Sequence, residues 1–185
     1  MKIFEIVRPD HLYHATSLTN LVQILESNRM SSGNGTSNSF TRDFRFARLY
    51  SWGGLYHSVL VVDRTKLTHN YSIMPYAEMT KEPDNPATYL RPYDDSSFLS
   101  RGMRHGRYEA EEIVRGPIGD IRKYITRVFL VENPGLFERQ LSDMSDVDKQ
   151  KALKKANDNL NVAMSVIKQY NIPVTMIKNP VDLYS

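Results

Sequence analysis

Three short stretches carry residue types that could do chemistry. Glu109-Ala110-Glu111-Glu112 puts three carboxylates into four residues. On a strand, Glu109 and Glu111 would share one face and Glu112 would take the other, because strand side chains alternate. Two like charges on one face repel unless solvent or a ligand meets them. A carboxylate pair beside a site can stabilise an oxocarbenium-like centre and take a proton from an acceptor. The plainer reading is an exposed edge strand whose charges deter aggregation. The second stretch is Ser39-Phe40-Thr41-Arg42-Asp43. Two hydroxyls and a guanidinium, whose fork matches phosphate oxygens, could grip a diphosphate; taken alone, strand-to-helix capping beside a surface arginine explains them better. The third is His14 in Tyr13-His14-Ala15-Thr16, mid-strand and just before a helix start. The end of a first strand facing a helix start suits an anion or nucleotide, but spacing alone favours a satisfied core or sheet histidine. Arg101, Arg104 and Arg107 recur every third residue and could meet phosphates from one helical turn, or simply be solvated.

Composition removes several function classes. The 185 residues contain no cysteine, which excludes disulfides, thiolate ligands and a cysteine nucleophile. His11, His57, His69 and His105 form no HxxxH or HxH pair, so no metal site is expected. The chain lacks the glycine patterns of P-loop and dinucleotide-binding enzymes and the GxSxG of serine hydrolases. The longest aliphatic run, Val59-Leu60-Val61-Val62, is far short of the roughly 20 residues that span a bilayer. The N-terminus has no signal-peptide core, so a cytoplasmic protein without membrane contact is expected. The net charge of +3 permits nucleic-acid contact without arguing for it.

The surrounding sequence predicts the elements that must position these residues. Leu12–Thr16 reads as a strand, followed by a helix capped at Ser17 or Thr19, carrying Leu18, Leu21, Val22 and Leu25 and ending near Asn28. Ser31–Asn38 reads as a loop, Ser39–Arg42 as a short strand, and Asp43 as the cap of a short helix to about Tyr50. Strands are predicted over His57–Asp63, Tyr71–Tyr76, Tyr108–Val114 and Tyr124–Val131. Thr80–Arg107, with its prolines and glycines, reads as an irregular connection. A long helix over about 145–171, capped at Ser145 or Asp146, has Leu153, Ala156, Leu160, Ala163, Met164 and Ile167 at helical spacing. Pro173–Ile177 closes as an edge strand. The order predicts one α+β domain over 1–185, with hairpin-type connections late in the chain.

In combination these pieces resemble the ADP-ribosyltransferase superfamily. The resemblance rests on Leu12-Tyr13-His14-Ala15-Thr16-Ser17 before an amphipathic helix, on Ser39-Phe40-Thr41-Arg42, and on Ala110-Glu111-Glu112-Ile113-Val114. The last is similar to the catalytic strand of DarT-type DNA ADP-ribosyltransferase toxins. Asn171-Ile172-Pro173-Val174, followed by Asp182-Leu183, is similar to the tails of small phage proteins. The resemblance implies a split core of two packed β-sheets with flanking helices and NAD, as co-substrate, in the cleft between them. It implies that His14 binds the adenosine ribose, with Thr16 of the same motif among the NAD-binding residues. Arg42, with Ser39 and Thr41, would hold the pyrophosphate or the nicotinamide-side ribose. Glu111 would be the catalytic glutamate and Glu109 its partner. Tyr50 or Tyr56 would stack on nicotinamide. DarT-like strands carry an apolar residue where this chain has Glu112, so whether Glu111 or Glu112 faces the cleft stays open.

The implied activity is an NAD-dependent transfer of ADP-ribose to a macromolecular acceptor, nucleic acid or protein, with release of nicotinamide and no metal. A phage or bacterial effector of this kind would act in the cytoplasm, with an antitoxin or host target as partner. The alternative is a catalytically silent module of the same fold that binds a nucleotide or a partner protein. An RNA 2′-phosphotransferase ranks below both, because few basic residues surround Tyr13-His14-Ala15.

Overall fold

The computed structural model describes residues 10–31, 37–42, 44, 47, 54–75 and 111–178. Strand β1 (His11–Ser17) leads directly into helix α1 (Leu18–Ser27). The Ser17 side chain accepts a hydrogen bond from the Asn20 amide at 3.1 Å and satisfies one free donor of the first turn. At the other end Asn28 adopts a left-handed conformation (φ 52°), which asparagine tolerates better than most residues. Strands β2 (Arg29–Met30), β3 (Ser37–Thr41) and β4 (Tyr56–Asp63) follow. Then come helix α2 (Arg64–Thr68) and strands β5 (Ile73–Pro75), β6 (Glu111–Arg115), β7 (Ile118–Gly119) and β8 (Ile125–Glu132). Helices α3 (Pro134–Leu141) and α4 (Asp146–Gln169) and strand β9 (Val174–Ile177) complete the described chain.

The architecture is α+β, as the sequence predicts: a seven-stranded sheet in the order β5-β6-β3-β1-β4-β8-β9 and a two-stranded ribbon, β2-β7. Strand β4, beside the central β1, is buried from His57 to Val62, and its Val59–Val62 part reads as a continuous apolar run rather than an alternation. On one face Leu12, Phe40, Leu60, Val62 and Val114 pack with Leu21 and Leu25 of α1 and Val166 and Ile167 of α4. On the other, Val59 and Val131 meet Ala47, Phe44, Tyr13 and Phe129. Among the described residues no helix is long and apolar enough to cross a membrane.

The seven-stranded sheet is nearly divided in two. Strand β1 pairs with β4 along its whole length, from His11↔Asp63 to Ser17↔His57. Strand β3 pairs with β6 from Ser37↔Arg115 to Thr41↔Glu111. Between these blocks, β1 and β3 share a single register pair, Tyr13↔Thr41. The two halves are therefore joined at one end of β1 and open toward α1.

Three expectations need correction. No hairpin joins β6 to β8: β7 turns aside to pair with β2, and β8 pairs with β9 in parallel. Parallel strands need a long crossover, which α3 and α4 supply. The loop expected at Ser31–Asn38 gives way to β3 at Ser37, where pairing with β6 overrides a turn-like composition. The apolar stripe of α4 does not pack along its full length: Leu153 is exposed, and full burial begins at Ala163. At about 1.5 Å per residue, α1 is much shorter than α4 (10 against 24 residues), so the first half of α4 extends past it.

Candidate active site

The opening between β1 and β3 is a cleft of about 630 Å³. His14 and Thr16 of β1, Asn20 and Gln23 of α1, Arg29 and Asn38 line it. His14 Nδ1 lies 2.8 Å from the Ser39 carbonyl oxygen and so bridges the two halves of the sheet. A carbonyl only accepts, so Nδ1 carries the proton and Nε2 of the neutral ring is left as an acceptor. Asn38 is 3 % exposed; its Nδ2 donates to the Gly116 carbonyl at 2.7 Å. Gly116 ends β6 at φ 74°, a conformation glycine adopts without strain, and so presents that carbonyl. Thr16 is buried, and its carbonyl accepts from the Ser58 hydroxyl at 3.0 Å.

Burial holds the His14 imidazole below its ordinary 6.5, and the bond to Ser39 offsets part of that shift. An unfolded chain therefore binds this proton more tightly than the folded one. The His14 contribution to stability is intact above about 6.5 and is lost as pH falls through that value toward the lower folded pKa. Thermal unfolding from about pH 7 to about pH 5 should show this loss, and His14→Gln should flatten that part of the slope. An identical slope in the variant would contradict it.

A second cluster lies on the same sheet face. Register places Glu112 opposite Phe40, so the two share one face of the sheet. Phe40 is 5.7 Å, centroid to centroid, from the His14 ring and thus links the cleft to Glu112. Glu112 is 3 % exposed and held between two arginines. Arg64 Nε donates to Oε2 at 2.9 Å. Arg42 Nε lies 3.1 Å from Oε1, an ionic contact whose N–H is not aligned as a hydrogen bond. Among the described residues two cations meet one carboxylate, which leaves one positive charge in excess.

Arg64 is positioned by local sequence. Strand β4 ends at Asp63, whose carboxylate accepts from the Lys66 amide at 2.8 Å and caps α2. That bond is the main reason the Asp63 carboxyl sits below its usual range. Arg64 is therefore the first residue of a capped helix, and its own amide donates to the Asp10 carbonyl at 2.9 Å.

The structure thus brings His14 and Thr16 to one cleft and pairs Arg42 with Glu112; Ser39 meets His14 only through its carbonyl, and the Ser39 and Thr41 side chains, alternating with Phe40, take the opposite sheet face. Tyr56 is elsewhere: it lines a separate hollow of about 250 Å³ with Phe137 and Ala156, and its hydroxyl donates to Asn157 Oδ1 at 3.4 Å. Burial and the Glu132 carboxylate push that hydroxyl up from its ordinary pKa. Glu109, Tyr50, the Asp43-capped helix start and the arginines at 101, 104 and 107 lie outside the described residues. Sequence reasoning missed Asn38 and Arg64. For Arg64 the signal was present, since an aspartate closing a strand is a helix cap that fixes the next residue at the first helical position. Among the described residues, no three His, Asp or Glu side chains come together as a metal site.

No family model and no curated protein sequence matches this chain. Two solved structures align with most of it: DarT of Thermus sp. 2.9 in complex with carba-NAD+ and the same protein in complex with NAD+. Each is 12% identical over 91% of this chain, with a TM-score of 0.47, and the alignments cover 95% and 96% of those chains.

Proposed function

We propose that this chain is an NAD-consuming ADP-ribosyltransferase, with the dinucleotide lying from the β1–β3 cleft toward Glu112. The observation that carries this reading is the buried Glu112, held between Arg42 and Arg64 on the sheet face that His14 shares. An extended dinucleotide has two chemical demands, and this face offers a group for each. The ribose and base need hydrogen-bond partners in a groove, which His14 Nε2, Asn20 and Gln23 can supply. The diphosphate and the departing nicotinamide need charge. Arg42 offers a fork to phosphate oxygens.

As nicotinamide leaves C1′, the ribose flattens and becomes positively charged, and a fixed carboxylate lowers the energy of that state. In this reading Glu112, rather than Glu111, is that carboxylate, because it is the one paired with Arg42. The same carboxylate would orient the acceptor nucleophile, and the excess positive charge of the cluster would favour the anionic diphosphate. The acceptor is a macromolecule, nucleic acid or protein. A fall of acceptor binding with rising salt would mark a nucleic acid.

One observation favours a second reading. Glu112 already has a partner at each oxygen and little exposure, as in a purely structural buried ion cluster. On that reading the chain binds NAD without turning it over. The two separate in one experiment: purified protein titrated with NAD in a calorimeter, then assayed for free nicotinamide with cell lysate as acceptor source. Binding with release supports the transferase, binding without release supports the silent module, and neither contradicts both.

A further inference from the structure

The two arginines on Glu112 are not equivalent, and their difference suggests a division of labour. Arg64 makes an aligned hydrogen bond to Oε2, its side chain is 16 % exposed, and its backbone sits in a capped helix tied to Asp10. Arg42 approaches Oε1 without alignment, and its side chain is 27 % exposed. Its Nε is buried and makes no hydrogen bond, a donor that an incoming acceptor would satisfy. It also sits just past the end of β3 rather than inside a capped element. Of the two contacts, the Arg42 one is the weaker and the more easily exchanged.

We infer that Arg64 is a positioning residue: it keeps the Glu112 carboxylate fixed while Arg42 exchanges that carboxylate for the anionic diphosphate of the substrate. This rests on the NAD-consuming reading of the site. When Arg42 turns to the ligand, Glu112 stays oriented through Oε2, and Oε1 becomes free to face the developing charge on the ribose. Without Arg64 the carboxylate would lose its remaining anchor when the substrate binds. Arg64 itself need not touch the substrate.

The test is steady-state nicotinamide release by wild type, Arg64→Gln, Arg64→Lys and Arg42→Gln, with rates expressed per folded molecule from a parallel thermal melt. Arg64→Gln should lower kcat by about 50-fold while KM for NAD stays within about threefold, the signature of an interaction that matters only in the transition state. Arg64→Lys, which keeps a charge but not the planar fork, should restore about tenfold of that loss. Arg42→Gln should act mainly on KM, raising it by about tenfold or more. A purely structural role predicts otherwise: Arg64→Gln would melt earlier with kcat per folded molecule unchanged, and that result overturns the inference. So does a rise in KM that accounts for the whole effect. If Arg64→Gln does not fold, Arg64→Lys decides: a kcat lowered by about fivefold at unchanged KM supports the inference, and wild-type kinetics overturn it. A wild type that neither binds NAD nor releases nicotinamide overturns this inference together with the proposed function. An active wild type matched by Arg64→Gln overturns the inference alone.

Discussion

Glu112→Gln is expected to cut nicotinamide release by about a thousandfold, the scale seen when a preorganised electrostatic group is removed from a reacting centre. The substitution keeps the size of the side chain and an oxygen to accept from Arg64, so the loss would come from the missing charge. It should also destabilise the fold. Removing one partner of a buried ion cluster leaves the others uncompensated, at a cost of about 3–5 kcal/mol in fully buried cases. Arg42 and Arg64 keep 27 % and 16 % side-chain exposure and can be partly solvated, which brings the expected cost below that range, to about 2–3 kcal/mol. Chemical denaturation gives that number, and nicotinamide release per folded molecule gives the other. A variant with a lowered midpoint and undiminished release would make Glu112 a structural residue.

Phe40→Ala should carry the largest stability loss, about 3–5 kcal/mol by the scale of buried aromatic truncations. Phe40 is 2 % exposed and belongs to the core that joins α1 and α4 to the sheet. It is also the residue through which the two parts of the site touch, opposite Glu112 in register and 5.7 Å from the His14 ring. Its loss would open a cavity where β3 must keep its distance from β1. Beside it, β1 and β3 are joined by the Tyr13↔Thr41 register pair and the His14–Ser39 hydrogen bond. Urea unfolding should therefore show a lower midpoint for Phe40→Ala, and NAD binding by the fraction still folded should weaken. Phe40→Leu, which fills most of the volume, should recover most of the stability. A cost under about 1 kcal/mol for Phe40→Ala would mean that this part of the core tolerates the cavity.

The parts of the fold visible in the sequence are those with local signals. Ser17, the leucines that follow and Asn28 write helix α1 with both caps. Ser145 starts α4, and the apolar run through Val59–Val62 marks a strand buried on both faces. The ribbon β2–β7 left no trace, because strands of two residues have no period to read. Helix α3 was not among the predicted elements, although Pro134 stands at its first position, where proline is well placed. The partition of the sheet between β1 and β3 is a long-range pairing that no window of sequence contains.

The candidate site divides in the same way. His14, Thr16 and Arg42 were legible as residue types at element ends. The carboxylate was not resolved, because alternation identifies a buried face only when the other face is wet. Ile113 and Val114 are both 1 % exposed, so both faces of β6 are covered and the apolar residues cannot rank Glu111 against Glu112. Distance in sequence hides the rest: Arg64 lies on a short helix 48 residues before its carboxylate partner. Tyr56, an aromatic at a plausible spacing, was drawn instead into packing around α4.

In the proposed reading the Arg-held carboxylate, Glu112, stabilises the ribose cation at the end of the His14 cleft. The most direct test is nicotinamide release from NAD measured side by side for wild type, Glu111→Gln and Glu112→Gln, each corrected for its folded fraction. The account predicts release by wild type, a change within about fivefold for Glu111→Gln, and a loss of about a thousandfold for Glu112→Gln. Loss with Glu111→Gln and retention with Glu112→Gln would contradict it.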